Sequence, residues 1–172
     1  MRLKPIIGFL AAVLIGNIVL MLNQQSSTRT RPDTTDNRPP LERLTSQTVA
    51  SYSELPDAAA RAGLRLSRRF ISSIDNIARI DSGHVLIGGW LADTDGDGTP
   101  LELLAFVGGA VVATTATKGE VPGVAEGYRL GFGAEKNIAF ELTVPCRSGE
   151  QPVVVGLGPK ERYVPLRSPA CP

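Results

Sequence analysis

Asp93-Thr-Asp95-Gly-Asp97-Gly98 is the stretch whose residue types and spacing come closest to doing chemistry. Three carboxylates at alternate positions, closed by a glycine, form the first half of a calcium loop. Alternate side chains turn their oxygens inward as the backbone wraps, and the glycine takes an angle other residues resist. Asp93, Asp95 and Asp97 would be the ligands. The second half of such a loop does not follow. Leu104 stands where a bidentate Glu is needed, Leu101 stands three positions before it, and Glu102 falls in a strand pattern. A polar connection between two strands draws on the same Asp and Gly residues. Bound calcium and a plain turn are both open here, and no other cofactor is expected.

The remaining reactive side chains are sparse. His84 is the only histidine, so any Ser–His or Cys–His mechanism must pass through it. It follows Ser82-Gly83 at a strand start, an ordinary place for a solvated histidine. One histidine and two distant cysteines do not make a zinc site. Lys118-Gly-Glu-Val-Pro-Gly123 has the glycines of a phosphate cradle, but no helix is expected after it, and it reads as a loop. No catalytic residue is nominated, and the chain is expected not to be an enzyme. Among the aromatics, Trp90 suits either a sugar-stacking platform or a core position beside Gly88 and Gly89. Tyr128 and Phe132, set among glycines, are candidates for a displayed contact surface with Trp90.

The elements that must position these residues have period two. His84–Leu91 alternates Val85, Ile87, Gly89 and Leu91 against His84, Leu86, Gly88 and Trp90. Leu101–Val107, a Gly108-Gly109 turn and Ala110–Thr117 read as a hairpin. Ile138–Val144 alternates again, and Val153–Leu157, a Gly158-Pro159 turn and Arg162–Leu166 make a second hairpin. With a short strand near Asn76–Ile80 this gives about seven antiparallel strands over residues 71–172, an all-β sandwich, Ig-like or a small barrel.

Ahead of the strands, residues 53–70 read as a short amphipathic helix. Ser53 would cap it, Pro56 suits its first turn, and Leu55, Ala59, Ala62, Leu66 and Phe70 form a narrow apolar stripe beside Arg61, Arg65, Arg68 and Arg69. A net charge of +1 and arginines without interleaved aromatics speak against nucleic acid. Residues 23–52, rich in Asn, Gln, Ser, Thr, Arg, Asp and Pro over their first half, read as a disordered tether. Met1-Arg-Leu-Lys4 precedes an apolar run, Ile6–Leu22, of about 17 residues, at the short end of what spans a bilayer. Residues 1–22 therefore read as an uncleaved transmembrane signal-anchor, and no Ala-x-Ala follows for a peptidase. Removal as a signal peptide, with secretion to the periplasm, is the alternative.

Arg2 and Lys4 before the span and Arg29, Arg31 and Arg38 after it leave the charge rule for orientation near a tie. The cysteines tip it. Cys146 and Cys171 lie in no CxxC pattern, and an isolated pair in an exported domain reads as a disulfide worth about 3 kcal/mol.

With these residues in view, Ile80–Leu166 resembles the β-sandwich accessory modules of bacterial envelope and glycosyltransferase-linked proteins. The likeness lies in Gly88-Gly89-Trp90-Leu-Ala-Asp93, Gly108-Gly-Ala-Val-Val112, the Pro- and Gly-bearing loop Val121–Gly133, and Ala139-Phe-Glu-Leu-Thr-Val-Pro145. The resemblance implies a non-catalytic role and transfers no site residue. The sequence thus leads to a single-pass protein of a bacterial inner membrane, held through residues 6–22, with its β domain in the periplasm. There it would engage an envelope protein or glycan through the loops Asp93–Thr99 and Val121–Gly133. A calcium-stabilised structural domain and, last, a secreted envelope enzyme are the competing functions.

Overall fold

The computed structural model describes residues 37–131 and 133–172. The expected membrane anchor and residues 23–36 of the expected tether lie outside them. Among the described residues no helix is long and apolar enough to cross a membrane.

The described body is mostly sheet. Two short helices, α1 (Pro40–Thr45) and α2 (Leu55–Arg61), precede β1 (Arg65–Leu66), β2 (Phe70–Arg79), β3 (His84–Asp93), β4 (Glu102–Val107) and β5 (Ala110–Ala116). A third helix, α3 (Val124–Tyr128), comes before β6 (Ala139–Pro145), β7 (Val153–Gly158) and β8 (Arg162–Arg167). The strands form a five-stranded sheet in the order β1-β8-β7-β4-β5 and a three-stranded sheet in the order β2-β3-β6.

The main core lies between the sheets. Val85, Ile87 and Leu91 of β3 and Phe140, Leu142 and Val144 of β6 meet Leu103, Ala105, Val154 and Leu166 of the larger sheet. This is the face expected from the alternation in His84–Leu91. Burying each of the Val, Ile, Leu and Phe side chains contributes roughly 1.5–3 kcal/mol. The larger sheet is covered on its other face too. Leu104, Phe106, Val153, Val155 and Leu157 pack under Leu44, Val49, Leu55, Ala58 and Ala59. Burial on both sides is why β7 is an unbroken apolar run rather than an alternating one.

The structure corrects several expectations. The tether does not extend to residue 52: Pro40 starts α1, Leu44 and Val49 are fully buried, and Val49 pairs with Gly109. Two apolar anchors in a polar stretch suffice, because the sheet offers them a greasy face. The helix expected over 53–70 is shorter, and Ser53 does not cap it. It ends in a Schellman arrangement, with the Gly63 N–H on Ala60 O and the Leu64 N–H on Ala59 O. Gly63, at φ 74°, supplies the left-handed residue that this stop requires. Beyond it the chain extends, and β1 pairs with β8 in parallel, so the fold has eight strands and is not wholly antiparallel. β2 also begins earlier than expected, at Phe70. The Gly108-Gly109 hairpin is as expected: both glycines have positive φ, 58° and 91°, and Val107 faces Ala110 across them.

Tyr52 fastens the helical layer to the sheets. Its hydroxyl accepts the N–H groups of Ser168 at 2.9 Å and Val154 at 3.2 Å. It faces the carbonyls of Pro152 and Leu166 as acceptors for its own proton. Cys146 and Cys171 are disulfide-bonded, tying the C-terminal tail to the end of β6.

Candidate functional site

The carboxylate loop begins where β3 ends. Phe70 faces Asp93 in the β2–β3 register, which brings Arg69 alongside the loop. Asp93 is only 7 % exposed and sits between two guanidinium groups: Arg69 Nε is 3.7 Å from one oxygen and Arg162 Nη2 3.7 Å from the other. Arg69 also pairs with Asp95. Arg162 in turn lies over the Phe70 ring, 5.8 Å from its centroid. Asp97 turns back on its own loop, accepting the Thr99 N–H at 2.9 Å and the Thr99 hydroxyl at 2.6 Å. The Thr99 hydroxyl, followed by its N–H, holds the Asp97 carboxyl below the usual carboxylate range.

Two of the three expected ligands therefore share an arginine. Among the described residues no group of three His, Cys, Asp or Glu side chains is placed to hold a metal ion. Sequence reasoning placed Arg69 beside the apolar stripe of a helix and missed this role. The signal lay only in the register that sets residues 69–70 against residue 93.

The loops Asp93–Thr99 and Val121–Gly133 come together at one end of the domain. The Gly131 N–H donates to Thr94 O at 3.3 Å, and the Asn137 side-chain amide donates to Gly98 O at 2.7 Å. Gly98 has φ 81° and presses on the Gly133 carbonyl, leaving no space for a Cβ. The second loop also contains α3, contrary to the expectation that no helix follows Gly123. Gly123, at φ 80°, turns the chain into it.

α3 covers part of the outer face of the smaller sheet. Beneath it Trp90 is 4 % exposed and packs with Ala92, Val124 and Ile138, in the core position that the glycine neighbours allowed for. Tyr128, 54 % exposed, is the ring that faces outward; its centroid lies 5.0 Å from that of Trp90, with the planes tilted by 54°. Such a tilted pair fixes the tyrosine while leaving one side free. Phe132 lies outside the described residues.

His84 sits at the far end of β3. Its Nδ1 lies 3.0 Å and 3.1 Å from the two Asp81 oxygens. The Gly83 N–H, then His84, holds the Asp81 carboxyl low. Among the described residues no hydroxyl is hydrogen-bonded to His84, and both cysteines are committed to the disulfide.

Comparison with protein families, with curated proteins and with solved structures gives no match to this chain.

Proposed function

We propose that the chain is a single-pass protein of a bacterial inner membrane whose β-sandwich stands in the periplasm as a non-enzymatic module engaging an envelope partner. The anchor is residues 6–22. The contact surface is built from the joined loops Asp93–Thr99 and Val121–Gly133, with Tyr128 as its outward aromatic. The observation that carries this reading is the Cys146–Cys171 bond, because structural disulfides persist in oxidising compartments. The basic, then apolar, N-terminus supplies the route there. The resemblance to envelope accessory modules points the same way. Asp93 and Asp95 are neutralised by arginines, so the calcium-dependent alternative is not preferred.

A photo-crosslinking amino acid in place of Tyr128, activated in intact cells, tests the proposal. It should give a discrete adduct with an envelope component. Adducts with neither protein nor glycan, from Tyr128 and from Thr99 alike, would refute an interaction role.

A further inference from the structure

On the outer face of the β2-β3-β6 sheet the surface sinks into a depression of about 450 Å³, within the size range of small-ligand sites. It is lined by Asp75, Asn76, Leu86, Gly88, Lys118 and Glu141. Three features mark it as more than an irregularity. Asp75 is the extra residue of a β-bulge between Ile74 and Asn76, a device that re-aims a side chain out of the regular alternation. The Asp75, Asn76, Lys118 and Glu141 side chains have no hydrogen-bond or ion-pair partner among the described residues.

The third feature is Gly88. Its neighbour Gly89 is required by packing, since a Cβ there would collide with the Ser73 carbonyl. A Cβ on Gly88 would meet only Asn76 Cβ and Phe140 O, both at 4.0 Å, an ordinary contact. The backbone does not need a glycine there either, because its φ is not left-handed. A glycine inside a strand weakens it and often marks close approach of a ligand. Here the fold gains nothing from the missing side chain; the depression does.

The lining selects the ligand. An anion would meet two carboxylates, and a cation would meet Lys118. Neutral hydroxyl groups suit all four polar side chains: the carboxylates accept their protons, Lys118 donates to their oxygens, and Asn76 does both. Leu86 and the bare Gly88 backbone suit the C–H face of a sugar ring. Trp90 follows Gly88 by two residues, so it faces the same side about 7 Å along the strand. The exposed Tyr128 ring rests on it, where a second sugar unit would arrive.

We infer that this depression binds a neutral saccharide, one or two pyranose units of an envelope glycan. The inference rests on the envelope-module reading above and names the partner class. The full chain in lipid nanodiscs, free of sugar-based detergent, would be titrated with tetrasaccharides of glucose, galactose and N-acetylglucosamine and followed by calorimetry. At least one should bind saturably with a Kd of about 1 mM or tighter. Gly88→Val should abolish that binding with no fall in melting temperature, and Asp75→Asn and Glu141→Gln should each weaken it about tenfold. Failure of all three sugars to bind, or equal binding by Gly88→Val, would overturn the site. If Gly88→Val also leaves the Tyr128 adduct in cells intact and that adduct is with a protein, the envelope-module reading stands and the saccharide is refuted. If saccharide binds as described but no adduct forms in cells, the site stands and the cellular role falls.

Discussion

Removing one oxygen from Tyr52 should destabilise the protein more than any surface substitution. In Tyr52→Phe the ring stays, but the Ser168 and Val154 N–H groups lose their acceptor, and the Pro152 and Leu166 carbonyls lose a donor. Orphaning one buried N–H costs about 1–3 kcal/mol. Two such groups, with some water reaching this half-buried position, give a loss of about 2–4 kcal/mol, a large part of the roughly 5–15 kcal/mol of a whole domain. At about 3 °C per kcal/mol for a body of this size, the melting temperature should drop by about 6–12 °C. The assay is thermal unfolding of wild type and Tyr52→Phe by near-ultraviolet circular dichroism, with the disulfide intact in both. The same group gives a pH signature. Burial raises the Tyr52 pKa, against partial lowering by the Val154 and Ser168 N–H groups, and burial also raises that of Tyr163. The folded state thus holds these protons more tightly than the unfolded chain. Their contribution is complete below the ordinary tyrosine value of about 10 and is lost as pH rises through the folded-state values. Tyr52→Phe should flatten that alkaline decline. A loss under about 0.5 kcal/mol, within the range of ordinary surface substitutions, would refute the clasp.

Other consequences can be measured on the same protein. Replacing Cys146 and Cys171 by Ser should lower stability by about 3 kcal/mol on the chain-entropy model, read as a shift of the urea midpoint. Gly89→Ala should destabilise strongly, because its Cβ meets the Ser73 carbonyl, whereas Gly88→Ala should be neutral or stabilise by up to about 1 kcal/mol. Millimolar calcium should leave the melting temperature of the wild type unchanged, because Arg69 already pairs with Asp93 and Asp95; a rise that Asp95→Asn abolishes would favour the calcium-stabilised alternative.

Much of the sheet was legible because its signals are local. Alternation in His84–Leu91 and Ile138–Val144, and the paired glycines at 108–109, each mark an element from neighbouring residues alone. The helical layer was harder to place. Leu44 and Val49 are single apolar residues in a polar stretch, and only the exposed face of the larger sheet makes them anchors. β1 is two residues long and exists because β8 offers it a parallel edge, which no local pattern encodes. The site divides in the same way. The DxDxDG motif was visible, but its arginine partners arrive through register and through β8. Its glycine neighbours made Tyr128 a candidate for display without deciding it, and the ring is exposed. Asp75, Asn76, Lys118 and Glu141 are unremarkable in sequence, and they share a surface only because three strands and one loop converge there.

The direct measurement is topological. Alkaline phosphatase, which folds only where disulfides form, would be fused after Pro172 of the full chain and assayed in intact cells. Activity matching an exported control is the expected result, and it would place the cystine domain beyond the inner membrane. A fusion that is inactive while a cytosolic reporter at the same junction is active would contradict the compartment, and with it the envelope partner.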